Sequence, residues 1–138
     1  MPYASGKKRI TYQQERRQRL IAAGICSHCG KRRPRGKFRV CAPCRQFFRD
    51  LTRELKRIVI EAYGGKCICC GETMFEFLSI DHKRNDGAKE RKRLGNRVKP
   101  GLQMLRYIIK MKFPKRYQLL CFNCNMAKGF YGKCPHKK

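Results

Sequence analysis

The sequence predicts a small α+β, zinc-stapled protein, in which a four-cysteine zinc ribbon and a long linking helix precede a second, larger zinc-containing module. Three observations indicate this fold class. Eight of the ten cysteines form four C-x2-C pairs, an apolar stripe at helical spacing occupies the middle of the chain, and two β-prone segments lie between the third and fourth pairs. With 138 residues, the chain has room for one ordinary domain or two very small ones.

The charge of the chain indicates a polyanionic partner. Its 35 Lys and Arg against 9 Asp and Glu give a formal net charge of +26, which opposes compaction unless a partner neutralises it. Nucleic acid is the leading candidate and an anionic membrane surface the weaker one. The first twenty residues lack the apolar core of a signal peptide, and no apolar run is long enough to span a membrane. We therefore expect a soluble, cytoplasmic protein without a membrane partner.

The N-terminal segment, residues 1–24, is predicted to be a basic helix or arm. Its helical part covers residues 8–23, and Gly24 is a plausible helix end. The arginines of this helix form either a solvated face or an arm that follows phosphates: Arg16, Arg17 and Arg19.

Residues 25–45 are predicted to form the first zinc module. Two C-x2-C knuckles separated by eleven residues can converge on one ion, with about 2.3 Å from zinc to each sulfur. Because a reducing compartment disfavours disulfides, metal binding explains the paired cysteines better than cross-linking. His28 lies inside the first knuckle and is predicted to be solvated. The predicted ligands are Cys26, Cys29, Cys41 and Cys44.

Residues 46–64 are predicted to form the linking helix. Apolar side chains recur at three- and four-residue steps, and Pro43 suits the first turn of a helix. The stripe ends at Gly64–Gly65. It is interpreted as a packing face, with a cofactor or partner groove as the alternative. Its members are Phe47, Leu51, Leu55, Ile58 and Ala62.

Residues 65–138 are predicted to form the larger module. FEFLSIDH has the character of a strand ending at Asp81–His82, and FPKRYQLLC that of a second strand after Pro114. The basic stretch between them, residues 83–100, contains Gly and Pro and is predicted to be largely loop. A helix with Leu102 and Leu105 on its apolar face precedes the second strand. A short helix is expected from near Asn125 to near Gly129.

The last two knuckles can close a second zinc site. About fifty residues separate them, so spacing alone leaves other pairings open. A site built from Cys67, Cys70, Cys121 and Cys124 would bring the end of the first strand beside the last helix. Cys69 and Cys134 have no assigned role. Cys134 and His136 could form part of a third metal site, and a packed or free thiol is the other interpretation.

The pair Asp81–His82 is the candidate for chemistry. Asp81 is one of three acids after Glu76, with Asp86 and Glu90. A carboxylate oxygen of Asp81 and the amide oxygen of Asn125 are hard donors suited to Mg²⁺, and a histidine can take a proton from water near neutral pH. Because neighbouring strand residues point to opposite faces, a shared site requires a bend or the end of the strand at this position.

Three motifs together resemble a known family. Cys67-x2-Cys70-Gly71, LSIDH at 78–82 and QLLC-x2-C-N-x2-K at 118–128 resemble the HNH endonucleases of the zinc-stapled ββα-metal (His-Me finger, treble-clef-like) class. Within that class the chain most resembles the small free-standing, homing-type proteins of phages and mobile introns. The resemblance covers roughly residues 63–136.

The resemblance implies a function and the roles of the residues. His82 would be the general base, Asp81 and Asn125 would bind a catalytic Mg²⁺ or Mn²⁺, and the two four-cysteine sites would hold two structural Zn²⁺ ions. The substrate would be double-stranded DNA, cut to 5′-phosphate and 3′-hydroxyl ends. A phage-encoded enzyme would act in the cytoplasm of the bacterial host, with an unidentified phage or host protein as a further partner.

The sequence departs from the family at one position. The family's middle Asn, nine residues before the second metal ligand, is Arg116 here. Asn85 or Asn96 could brace the loop after His82 instead, or Arg116 could contact phosphate.

The basic residues around this module are the DNA-binding candidates. Alternatively, the basic stretch between the two strands could serve only to keep the protein soluble, and Lys128 could be a solvated lysine at a helix end. Two rival functions stay open, a non-catalytic zinc protein that binds DNA or RNA and a ribosome- or RNA-associated basic zinc protein. The candidates are Arg84, Lys89, Arg91, Lys92, Arg93, Arg97, Arg116 and Lys128.

Overall fold

A computed structural model describes residues 6–94 and 100–137. The small α+β class is confirmed, with one two-stranded sheet and clustered cysteines in the described part of the chain. The chain divides into two compact units, residues 1–50 and 51–138. In chain order the elements are α1 (Gly6–Ala22), α2 (Ala42–Ala62), a 3-10 turn (Phe75–Phe77), β1 (Leu78–His82), α3 (Gly87–Arg93), α4 (Leu102–Lys110), β2 (Tyr117–Cys121) and α5 (Phe122–Tyr131).

The first unit consists of α1, two cysteine knuckles and the start of α2. Gly24 has φ +66° and closes α1: its N–H donates to the carbonyl of Ile21, and the next N–H, from Ile25, donates to Leu20. This pair of hydrogen bonds is a Schellman motif, which glycine favours because the left-handed conformation costs it little. The core of this unit is made by the buried side chains of Cys26, Cys41 and Cys44.

Helix α2 covers Ala42–Ala62 and carries Pro43 and Cys44 in its first turn. It therefore extends N-terminally beyond the linking segment predicted at residues 46–64 and begins where Pro43 indicated a first turn. The last candidate zinc ligand of the first module is therefore helical. In the second unit, α2 buries Val59 and Ile60 in two neighbouring apolar clusters.

The second unit is built on the antiparallel pair β1–β2. The register pairs Leu78 with Cys121 and His82 with Tyr117. Leu78 and Leu119 are fully buried in the cluster that includes Ile60 of α2, and α4 adds Leu105 and Ile108 to the core. The core therefore fixes both strands up to the position of His82.

Two predicted boundaries in this unit were wrong. The first strand was expected to include FEF at 75–77, which forms a 3-10 turn before β1 instead. Residues 83–100 were expected to be largely loop, yet α3 occupies Gly87–Arg93, where no proline interrupts the backbone. Tertiary contacts stabilise this short helix, because Glu90 points inward and is only 3 % exposed.

Across residues 6–94 and 100–137, no helix combines the length and the apolar character that crossing a membrane requires.

Candidate functional site

The first candidate metal centre combines the two knuckles of the first unit. The four sulfurs of Cys26, Cys29, Cys41 and Cys44 lie within 4.8 Å of one another and could hold a zinc ion. The sulfurs of Cys29 and Cys41 are 3.9 Å apart. His28 is exposed and lies outside this ligand group, with its ring centroid 4.7 Å from that of Phe48.

The second candidate centre joins the knuckle after α2 to the corner between β2 and α5. The sulfurs of Cys67, Cys70, Cys121 and Cys124 lie within 4.8 Å of one another, and those of Cys70 and Cys121 are 3.6 Å apart. This is the pairing that sequence spacing left open. It could hold a second zinc ion.

Cys26 and Cys29 in the first centre and Cys67 in the second have lowered pKa values. Burial raises the pKa of the Cys26 thiol, but backbone N–H groups of Cys41, Cys29 and His28 outweigh burial and lower it to about 6. In Cys67 burial acts the same way, and backbone N–H groups of the surrounding knuckles bring the pKa to about 6. The thiolate is the form that binds zinc, so the backbone of each knuckle prepares a ligand at neutral pH.

A third group of candidate ligands is formed by Cys69, Cys124, Cys134 and His136, whose ligand atoms also lie within 4.8 Å of one another. The sequence indicated only Cys134 and His136 as part of such a site. Cys69 was missed because its neighbour Cys70 already completed a C-x2-C pair. Cys124 belongs to both the second and the third group.

Asp81 lies buried beneath α5. Its Oδ2 accepts hydrogen bonds from the Lys128 ammonium at 2.6 Å and from the Gln118 amide at 2.6 Å. Lys128 also donates to the carbonyl of His82 at 2.6 Å, and its side chain is only 12 % exposed. Lys128 is therefore a buried partner of Asp81, which differs from the solvated helix end that the sequence also allowed.

Asn125 lies over the same face of β1 as Asp81. Its Nδ2 donates to Oγ of Ser79 at 3.0 Å. Ser79 and Asp81 are two residues apart in the strand and so share a face, while Asn125 and Lys128 are three apart on α5. The structure thus brings Asp81 and Asn125 to one side of the sheet, with an amide oxygen and a carboxylate as hard donors.

His82 lies on the opposite face. Its ring packs edge-on against Tyr117, with centroids 4.9 Å apart, and its side chain is 15 % exposed. A Cβ at position 87 would lie 3.0 Å from Nδ1 and Cε1 of His82, so Gly87 leaves room for the ring. No bend separates Asp81 from His82 in β1, since His82 continues the register, but His82 is the last residue of the strand.

Glu90 contacts His82 directly and is the residue that sequence reasoning missed. Its Oε2 lies 2.6 Å from Nε2 of His82 and 2.7 Å from the Tyr117 hydroxyl, and Oε1 accepts from Arg116. Burial raises the pKa of this carboxyl, but hydrogen bonds from Tyr117, His82 and Arg116 outweigh burial and lower it. The sequence feature that could have indicated this role is that Glu90 is the single acidic residue within the basic run KERKR.

Arg116, at the position where the resemblance would place an Asn, reaches His82 through Glu90. Asn85 contributes to the loop with its backbone: it has φ +55°, and its N–H donates to the carbonyl of His82 at 3.0 Å. Asn96 lies outside the described residues.

A basic cleft of about 320 Å³ adjoins this network. It is lined by Lys83, Arg84, Asp86, Lys115 and Arg116. Two of the DNA-binding candidates are in this cleft, and four more are exposed on α3, whereas Arg97 lies outside the described residues. The four on α3 are Lys89, Arg91, Lys92 and Arg93.

Comparisons with known proteins give no further assignment. Neither family models nor curated proteins nor solved structures yield a match to the chain. The chemistry of the site therefore has to be argued from its residues and their geometry.

Proposed function

We propose that the chain is a metal-dependent DNA endonuclease of the HNH type, with the second unit as a ββα-metal nuclease module. The observation that carries the proposal is a buried carboxylate at Nε2 of His82, beside a cleft rich in Lys and Arg. The order β1, β2, α5 with cysteines at the β2–α5 corner is also what the resemblance predicts.

His82 is the proposed general base. The Glu90 carboxylate accepts a hydrogen bond from the N–H at Nε2 of His82, and this tautomer leaves Nδ1 unprotonated, with a lone pair that can take a proton from water. The water oxygen then bonds to phosphorus as the bond from phosphorus to the 3′ oxygen breaks, and the departing 3′ oxygen takes a proton from solvent, which gives 5′-phosphate and 3′-hydroxyl ends. Glu90 is a positioning residue in this scheme, because it acts through the orientation of His82.

Asp81 and Asn125 are the proposed holders of the catalytic divalent ion. The donor types fit, since a carboxylate and an amide oxygen suit Mg²⁺ or Mn²⁺, and Asp81 already faces the Lys128 ammonium at 2.6 Å. When bound, the ion would stabilise negative charge on the phosphate and the leaving oxygen. Lys128 would have to give up Oδ2 of Asp81 for that ligand to bind the ion.

Double-stranded DNA is the proposed substrate. Its phosphates would meet the basic cleft and the exposed basic residues of α3, and binding should weaken steeply with salt. Phosphate contacts of this kind position a duplex without reading its sequence.

The test is cleavage of a supercoiled plasmid with Mg²⁺ or Mn²⁺, by the parent, His82→Ala and His28→Ala. We expect the parent and His28→Ala to cut and His82→Ala to bind DNA without cutting. Equal cleavage by folded His82→Ala would show that His82 is not the base. End-labelling and ligation of the products test for the 5′ phosphate.

A non-catalytic nucleic-acid-binding protein is the second candidate. It is favoured by the occupation of Oδ2 of Asp81 by both Lys128 and Gln118, and by the placement of Asp81 and His82 on opposite faces. This candidate predicts salt-sensitive binding without cleavage under any divalent ion. Preference for structured RNA over duplex DNA at matched salt would indicate the RNA-associated form.

A further inference from the structure

Cys124 belongs to two ligand groups at once. One contains Cys67, Cys70 and Cys121, and the other contains Cys69, Cys134 and His136. Zinc in structural sites takes four ligands, so a single ion cannot use all seven of these residues. Two separate ions would need eight donors. Seven donors serve two ions only if one sulfur binds both.

The distances fit zinc coordination. With Zn–S near 2.3 Å and Zn–N of about 2.0–2.1 Å, a tetrahedral site separates sulfurs by about 3.8 Å and a sulfur from a nitrogen by about 3.5 Å. Nδ1 of His136 lies 3.5 Å from the sulfurs of both Cys124 and Cys134, and 3.9 Å from that of Cys69. The sulfurs of Cys70 and Cys121 are 3.6 Å apart.

The backbone brings the two chain ends of α5 to the same place. Gly132 follows the helix with φ +76°, a conformation that glycine adopts readily, and the chain then returns Cys134 to the sulfur cluster. The N–H of Lys137 donates to the carbonyl of Cys134 at 2.9 Å and closes the turn that carries His136. Cys134 is buried, so this return is part of the packed core.

The charge of such a cluster is moderate. Six thiolates, a neutral histidine and two Zn²⁺ ions sum to about −2. Such a residual charge is tolerable in a chain of net charge +26.

We propose that the second unit holds two zinc ions in one thiolate-bridged cluster, with the Cys124 sulfur as the bridge. Cys67, Cys70 and Cys121 complete the first ion, and Cys69, Cys134 and His136 complete the second. The second ion joins the segment after α5 to the knuckle before β1, so it fixes both ends of the helix that carries Asn125 and Lys128. The proposal does not depend on nuclease activity.

Mass spectrometry of the full chain under non-denaturing conditions counts the ions. We expect three zinc ions per chain, one for each ligand group. His136→Ala and Cys69→Ser should each lose the same single ion, while His28→Ala, in the other unit, should keep all three. His136 is exposed, so its replacement should leave the fold intact as measured by circular dichroism.

Cadmium-113 NMR of the cadmium-substituted chain tests the bridge. Two of the three signals should couple to each other through the shared sulfur, and one of the pair should vanish in His136→Ala. If the parent binds only two zinc ions per chain, or if both variants bind as many zinc ions as the parent, the proposed second ion of this cluster is wrong. Three ions without coupling overturn the bridge. None of these results depends on whether the protein cuts DNA.

Discussion

The carboxylate of Glu90 lies 2.6 Å from Nε2 of His82, with only 2 % of the Glu90 side chain exposed. Arg116 binds the other oxygen of the same carboxylate. Glu90, which Arg116 binds, therefore braces the ring of His82, and position 116 is where the resemblance would place an Asn. A buried carboxylate with three hydrogen-bond partners is held rigidly, and so is the ring that it contacts.

Glu90→Gln should lower kcat for plasmid cleavage by about 10- to 100-fold with little change in KM, because the ring loses its fixed tautomer while the basic cleft is retained. Glu61→Gln is the matched control, an exposed glutamate on α2 in the same unit. A parallel loss of DNA binding, or equal activity in both variants, would contradict the positioning role. Glu90→Asp should recover part of the rate.

The stability that Glu90 contributes should depend on pH. Its pKa in the folded protein is below the usual value of 4.5, so its contribution is complete above that value and is lost as the pH falls through the lowered pKa. The gap in unfolding free energy between the parent and Glu90→Gln should shrink as the pH falls below 4.5. Urea denaturation at a series of pH values measures it. Loss of zinc in acid lowers the stability of both proteins alike, so its effect largely cancels in the difference between their unfolding free energies.

Gly87→Ala should disturb His82 although alanine is the better helix former. The new Cβ would lie 3.0 Å from the imidazole, so the ring must move and cleavage should fall. Gly129→Ala is the control on α5, where a Cβ meets nothing within 4 Å. That variant should gain about 0.5–1 kcal/mol of stability and keep its activity. Unchanged cleavage by Gly87→Ala would mean that the ring position is not critical.

Lys128→Met tests whether Asp81 can bind a divalent ion. Removing the ammonium leaves a buried carboxylate without its counter-charge, which should cost about 3 kcal/mol in the absence of divalent ions. Added Mg²⁺ or Mn²⁺ should then raise the melting temperature of Lys128→Met more than that of the parent, because Oδ2 has become available. Lys110→Met, at an exposed position on α4, is the control. Equal shifts in all three proteins would argue for the non-catalytic candidate.

Local patterns in the sequence were enough to predict the cysteine knuckles, the existence of α2 and the strand ending at His82. These features depend on residues within a few positions of each other. The predicted packing stripe of α2 was wrong, because Phe47, Ile58 and Ala62 are exposed whereas α2 buries Val59 and Ile60.

The partners of Glu90 could not be predicted from local patterns, since Arg116 and Tyr117 are 26 and 27 positions away and meet it only when α3 packs on β2. Burial of Lys128 against Asp81, 47 positions earlier, has the same origin.

The two cysteines outside the four C-x2-C pairs show a second limit of prediction from local sequence. Cys69 and His136 are 67 positions apart and converge only because α5 ends at Gly132 and the chain turns back. Pair spacing identifies ligands that a knuckle presents together. It does not identify a ligand set that draws one residue from each of several segments.

Helix α3 has a consequence for control of the proposed reaction. This seven-residue element carries exposed Lys and Arg on its outer side and Glu90 on its inner side. Any displacement of α3 by a bound duplex therefore moves the carboxylate at Nε2 of His82. The proposed phosphate contacts and the carboxylate that orients the proposed base are therefore carried by opposite sides of one short helix.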